Sequence, residues 1–301
     1  MIYGVQKMHM IFLKTIYEIF SAYNFPESLA LLGEYIRIVI RNRLPYIARN
    51  KERIFSYTFQ FPNRPQFFGV LSEIFFRRLY ALPAGNISTI IDAGANIGIS
   101  AVYFKWQYPH ARITCFEPNP EAFAFLEKNI TQNNLHDIRA LPYALGNKHG
   151  DTMLFTDHSV KASTSATTMQ SPESSQKKSL ALSVPLRRLS DFIDAPVDLL
   201  KIDIEGAEGD VLHDLEETKK ISLVRTIILE YHLYEGREEY PMGKFLSILD
   251  RNGFRYICIP LFSNIEKKSP KGLRTYMIHA KADRQKNQSV HDSSSLASEA
   301  L

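Results

Sequence analysis

From residue 88 onward the chain keeps one rhythm: a short apolar run, a turn, then a stretch with helical spacing. "STIIDAG" precedes "ANIGISAVYFKWQ", "RITCFEP" precedes "NPEAFAFLEKNITQN", "VDLLKIDIE" precedes "GAEGDVLHDLEE", and "RTIILEYH" precedes "PMGKFLSILDRNG". Strands that alternate with helices form a parallel sheet, because parallel neighbours need a crossover and the crossing helices cover both faces. "IRALPYALG" reads as a third strand. "FRYICIP" and "RTYMIHAK" are joined by "LFSNIEKKSPKGL" with no helical pattern between them, which predicts an antiparallel pair at one sheet edge.

Upstream, "HMIFLKTIYEIFSAY" and "SLALLGEYIRIVIRNRLPYIARNK" have helical spacing, so residues 1–50 are predicted to form a helical extension. It carries Arg37, Arg41, Arg43 and Arg49. Two readings stand: a helical cap packed on the main domain, or a basic amphipathic segment on the anionic inner face of a membrane. Residues 53–62 alternate in part like a strand, and 65–80 read as a helix that starts at Pro65. The main domain is expected over 51–282, followed by a polar, serine-rich tail at 283–301 that is expected to be disordered. Inside the domain, "DTMLFTD" and "LSVPL" flank a stretch at 159–178 with few large apolar residues. It is read either as a surface loop or as a lid over a binding site.

Composition narrows the function. The chain has 301 residues, 45% hydrophobic and 23% charged, which is ordinary for a soluble globular protein. A net charge of +4 is too mild to imply a nucleic-acid partner. Cys115 and Cys258 sit in strand-like runs and are expected as buried free thiols, consistent with a reducing, cytoplasmic setting. Neither has a metal-ligand spacing to another Cys or His. No apolar run reaches the roughly 18 residues of a spanning helix. Lys7 and Lys14 interrupt the N-terminal apolar stretch, so no cleaved leader is expected.

In an open parallel sheet, ligands bind beyond the carboxyl ends of the strands, where strand order reverses. Those ends carry Asp92, Glu117, Asp203 with Glu205, and Glu230 with His232. The first turn, "DAGANIG", has Gly94 and Gly98 ahead of a helix N-terminus, where free N–H groups attract an anion. Asn96 stands where the dinucleotide fingerprint has its second glycine, which disfavours a pyrophosphate and suits a carboxylate. Glu117 follows Gly98 by nineteen residues, near the ~20 expected for a ribose-binding acid. Asp92 is placed to take a cationic amino group. A ligand with a carboxylate, an amino group, a ribose and a sulfonium charge matches these parts, and S-adenosylmethionine is that ligand.

"IIDAGANIGISAVYF", "CFEPNPEAFAFLEKNI", "YALGNKHGDTMLF", "LRRLSDFI" and "DLLKIDIEGAEGDVL" followed by "IILEYH" resemble, in this order, the FkbM-type S-adenosylmethionine-dependent methyltransferases. The resemblance covers about residues 53 to 281. It implies a Rossmann-like class I methyltransferase fold, α/β, with a seven-stranded, mostly parallel sheet and an antiparallel last strand. It also implies O-methylation of a hydroxyl on a small-molecule or glycan acceptor: a sugar, a polysaccharide precursor or a secondary metabolite. By motif match, Asp92, Gly94, Asn96 and Gly98 are the methionine-end contacts, Glu117 is the ribose ligand, and Ala144 lies beside the adenine through its backbone.

Methyl transfer needs an acceptor oxygen held in line and relieved of its proton. Asp203 is the expected base or orienting acid. Lys201 points to the same face by strand alternation and either holds Asp203 ionised or contacts the substrate. Glu205 is a second acid or a helix cap. His232 is an alternative base, since its ordinary pKa suits proton removal near neutrality. No resident metal is expected, although Asp203, Glu230 and His232 form an alternative divalent-metal set. Tyr234, Arg237 and Tyr240, within 233–240, are candidates for acceptor recognition. Two rivals remain: a nucleotide-dependent dehydrogenase, and a membrane-attached scaffold with a vestigial cofactor site.

Overall fold

The structure is a computed structural model that describes residues 15–21, 23–43, 50–82, 85–157, 179–234, 241–261 and 273–283. The loop at 159–178, Arg237, Tyr240 and all of the 283–301 tail except Asp283 lie outside the described residues, as does the side chain of Tyr234.

Seven strands form the main sheet: β3 (Thr89–Ala93), β4 (Arg112–Phe116), β5 (Ile138–Leu141), β9 (Leu199–Ile202), β10 (Thr226–Tyr234), β11 (Phe254–Pro260) and β12 (Leu273–Ala282). Their order is β11-β12-β10-β9-β3-β4-β5. Strands β10, β9, β3, β4 and β5 are parallel neighbours, while β12 runs antiparallel to both β10 and β11. The chain steps outward from β3 through β4 to β5, then returns to the other flank of β3 with β9. Strand order therefore reverses between β3 and β9.

Strand alternation sorts the core into two layers. Ile90, Leu199, Ile228 and Met277 point to one face; it is covered by α4 (Ile99–Gln107), α5 (Pro120–Gln132) and the N-terminal helices. Ile91, Leu200, Ile227, Leu229 and Ile278 point to the other, under α6 (Glu208–Glu217) and α7 (Met242–Arg251). Coverage on both faces explains why β9 reads as a continuous apolar run: all four of its residues are buried. Local chemistry sets the helix starts. At α5, the Asn119 side chain accepts hydrogen bonds from the Glu121 and Ala122 N–H groups, and Pro120 occupies the first turn.

The N-terminal segment packs as a cap. A helix at 15–21 (α1) and α2 (Phe25–Arg43) bury Ile19, Tyr23, Leu31, Tyr35 and Ile38 in the same core as Ile90. The 53–62 region is a hairpin rather than one strand. β1 (Lys51–Ile54) and β2 (Tyr57–Gln60) pair antiparallel, and Phe55 turns at φ 51°. The expected helix at 65–80 is α3 (Arg64–Leu71), capped by Asn63 and continued by a short π-helix over Ser72–Phe76.

Two further expectations are corrected. "IRALPYALG" is split: β5 ends at Leu141 in the main sheet, and β6 (Ala144–Gly146) belongs to a small sheet of order β6-β8-β7. Pro142 lies between them, where a ladder donor is missing. The other two strands, β7 (Gly150–Asp157) and β8 (Ser179–Arg188), are the runs that flank the 159–178 loop, paired antiparallel. Cys115 is buried, but Cys258 is exposed, because β11 is an edge strand with its last four residues open to solvent.

Candidate functional site

A cavity opens at the carboxyl ends of β3, β4 and β9, at the point where strand order reverses. Val70, Ile74 and Tyr80 of the N-terminal segment close one side of it.

The turn after β3 forms its floor. Gly94 and Ala95 both donate N–H to the Phe116 carbonyl at 2.9 Å, which ties the turn to β4. Gly94 (φ 83°), Asn96 (φ 49°) and Gly98 (φ 88°) are all left-handed. Packing demands both glycines: a Cβ on Gly94 would lie 1.8 Å from the Asp203 carbonyl oxygen, and one on Gly98 would lie 2.8 Å from Leu126 Cδ1. Glu117 spans the turn and the next helix. Its Oε2 accepts from the Asn96 N–H and its Oε1 from the Asn119 N–H, both at 2.8 Å. Burial raises its pKa to about 7, against those two backbone donors. Each of its oxygens keeps a second lone pair, and Glu117 lines the cavity, as does Ala144.

Asp92, the expected partner of a ligand amino group, lies at the end of β3 beneath the glycine turn. It is wholly buried: Oδ2 accepts from Ser100 Oγ at 2.6 Å, and Oδ1 lies 3.1 Å from Lys201 Nζ as an ion pair. Lys201 is also buried and donates to the carbonyls of Ala93 (3.1 Å) and Gly94 (2.6 Å). Burial works against its charge, but Asp92 and Asp203 outweigh it and raise its pKa. Lys201 therefore clamps β9 to the glycine turn through two backbone carbonyls, and it also lines the cavity.

Asp203 follows β9 directly and lines the cavity. Its Oδ2 accepts from Tyr80 Oη at 3.3 Å and lies 3.9 Å from Lys201 Nζ. The chain then turns through Glu205 (φ 57°) and Gly206 (φ 114°). Beyond them, Glu208 Oε1 accepts from the Gly206 N–H at 2.9 Å and meets His232 Nδ1 at 2.8 Å. The other ring nitrogen, Nε2, faces Glu230 at 3.5 Å and Glu205 at 3.7 Å. Burial disfavours a charged His232, but Glu205 and Glu208 prevail and hold its pKa well above the ordinary value. The sequence expectation is a base with an ordinary pKa; in the fold, the carboxylates on both sides favour the protonated imidazole. Glu205 is pushed up to about 7 by burial, and Glu230 is raised by burial and by Asp203.

Among the described residues, Asp203, Glu205 and His232 present possible metal-ligand atoms that all lie within 4.8 Å of one another. The alternative metal set named Glu230 in place of Glu205; here Glu230 Oε1 approaches the same imidazole nitrogen from two residues earlier on β10.

Sequence reasoning assigned no role to Tyr80, Ser100 or Glu208. Ser100 sits eight residues after Asp92, in the first turn of α4, a spacing that could have been read. Glu208 follows Glu205 by three positions, as a helix start allows. Tyr80 lies 123 positions from Asp203, and nothing local signals that contact.

A parallel α/β sheet with one antiparallel last strand, a glycine turn bound to an acid at the end of the next strand, and a cavity at the strand-order reversal define a class I methyltransferase fold. The sequence family described as Methyltransferase FkbM domain matches residues 92–256, more than half of the chain. The protein belongs to this family of S-adenosylmethionine-dependent methyltransferases. It is 28% identical over 229 residues to "Methyltransferase 1" of Beauveria bassiana, covering 69% of this chain and 87% of that protein. It is 29% identical over 189 residues to "2-O-methyltransferase NoeI" of Sinorhizobium fredii, covering 58% and 75%. It is also 26% identical over 244 residues to "31-O-demethyl-FK506 methyltransferase FkbM" of Streptomyces tacrolimicus, covering 67% and 88%.

Proposed function

We propose that this methyltransferase acts on a hydroxyl oxygen of a small polyhydroxylated acceptor, such as a sugar, a polysaccharide precursor or a secondary metabolite. The observation that carries this reading is Asp203: a carboxylate at the end of a central strand, on the cavity wall, with its Oδ2 held by Tyr80 and facing Lys201. One relative named as a 2-O-methyltransferase and one named for a 31-O-demethyl substrate support the choice of oxygen.

When bound, S-adenosylmethionine supplies a methyl group activated by a sulfonium charge. The cavity suits it: Glu117 offers lone pairs to the ribose hydroxyls, and the N-terminus of α4, just after the glycine turn, offers backbone N–H groups to the carboxylate. Ala144 and Leu145 add apolar surface for the adenine. In this reading Asp92 works through Lys201, fixing the turn rather than touching the ligand. Asp203 orients the acceptor hydroxyl and takes up its proton as the oxygen attacks. His232, charged and anchored by Glu208, holds Glu205 and Glu230 in place beside the acceptor.

Asp203→Asn tests the proposal. Transfer to the acceptor should fall more than about 100-fold, in the range of general-base losses, while S-adenosylhomocysteine binding measured by calorimetry stays unchanged. Unchanged turnover would remove Asp203 from the chemistry. Binding of NAD in place of S-adenosylhomocysteine would overturn the cofactor assignment itself. Mass spectrometry of cell extracts incubated with the protein and isotopically labelled cofactor identifies the acceptor.

A further inference from the structure

The helix α2 has two apolar stripes, and only one is used. Leu31, Tyr35 and Ile38 point into the core, with Ser28 on the same face. Phe25, Leu29, Ile36 and Ile40 follow one another at spacings of four, seven and four, and so form a second stripe beside the first. They are 68%, 49%, 37% and 55% exposed. Tyr17 (73%) and Phe20 (39%) of α1 extend the patch, and the Phe20 and Phe25 rings lie 6.3 Å apart across the turn. Ten large hydrophobic side chains are exposed among the described residues, and six of them are here. Scattered exposed hydrophobics are ordinary; a cluster along one helix face is a binding surface.

Charge indicates what covers it. Residues 1–53 hold eight Lys or Arg and four Asp or Glu, an excess equal to the +4 of the whole chain, so the other 248 residues balance. Three of those four acids are paired with arginines: Glu52 with Arg37, Arg41 and Arg64; Glu34 with Arg37; and Glu18 with Arg77. Lys51 and Arg53 are exposed. Two of the eight basic residues, Lys7 and Lys14, lie in the fourteen residues that precede α1, "MIYGVQKMHMIFLK", which hold further apolar residues and no acid. An apolar stripe with aromatic residues at one end and a basic excess around it is the composition that lies in the headgroup layer of an anionic bilayer.

We infer that the α1–α2 face docks on an anionic lipid surface. The binding is peripheral: no helix among the described residues is long and apolar enough to cross a membrane. The face is also joined to the site. Tyr23 Oη donates to the Phe75 carbonyl at 2.6 Å, the Tyr35 and Phe76 rings lie 5.1 Å apart, and the adjacent Ile74 lines the cavity. Docking is independent of the proposed chemistry, so either can fail alone.

Flotation of the full chain with vesicles tests it. The chain should rise with vesicles of phosphatidylcholine mixed with phosphatidylglycerol, stay behind with phosphatidylcholine alone, and dissociate at high salt. A variant with Phe25→Gln, Leu29→Gln, Ile36→Gln and Ile40→Gln should keep the wild-type melting temperature and lose at least about tenfold in partitioning. A milder variant, Leu29→Gln with Ile36→Gln, should fall between. The inference is overturned if the wild type ignores anionic vesicles or if the fourfold variant floats equally well. It is also overturned if light scattering shows a dimer that the variant disperses, which would make the occupant a second copy of the chain.

Discussion

Replacing Lys201 by Met probes the charge pair beneath the glycine turn. The ammonium is 3.1 Å from Asp92 Oδ1 and donates to two backbone carbonyls, and both side chains are almost completely buried. Two unit charges at that separation attract by roughly 5 kcal/mol at an effective dielectric of 20. Most of that gain offsets the desolvation of the pair, so the intact pair adds little net stability. Breaking it is different. Met fills the space but leaves Asp92 with only Ser100, and losing one partner of a buried pair costs about 3–5 kcal/mol. At roughly 2 °C per kcal/mol for a chain of this size, melting should fall by about 6–10 °C. Asp92→Asn combined with Lys201→Met removes both charges and should recover about 2 kcal/mol of the loss, as coupled neighbours do. Urea denaturation of the wild type, both single variants and the double variant gives the cycle. If Lys201→Met loses less than about 1 kcal/mol, or if the two single losses simply add, Lys201 is not the counter-ion of Asp92.

Two other expectations concern the same edge of the sheet. Gly94→Ala should destabilise the fold by more than about 2 kcal/mol, since its Cβ would lie 1.8 Å from the Asp203 carbonyl at a φ of 83°; a wild-type urea midpoint would show that the turn can move. Stability should also decline as pH rises. Burial raises Glu205 from 4.5 to about 7, and His232 is raised well above 6.5 because its carboxylate neighbours outweigh burial. Both groups bind protons more tightly in the folded chain, so the slope of stability with pH is negative: from about 4.5 to 7 for Glu205, and above 6.5 for His232. Glu205→Gln should flatten the lower part of that slope in melting curves, and an unchanged slope would contradict the burial argument.

The order of strands and helices from residue 88, the antiparallel last strand and the acids at the strand ends were all legible in the chain, because periods of two and 3.6 and turn residues are local signals. Glu117 and Asp203 could be singled out for the same reason: each stands where a strand stops. Other features depended on contacts between distant segments. The hairpin at 51–60 and the split at Pro142 became visible only when the pairing partners were known. Asp92 was legible as a strand-end acid, but its contacts with Lys201 and Ser100 were not. His232, an ordinary histidine by type, has its pKa raised because folding set Glu205, Glu208 and Glu230 around it. Tyr80, far away in the chain, reached Asp203 through the packing of the N-terminal segment. Sequence by itself determined which faces are apolar and where the strands end, since those follow from covalent spacing. Only the tertiary structure decided which charges meet, because burial and proximity across the sheet arise when the strands come together.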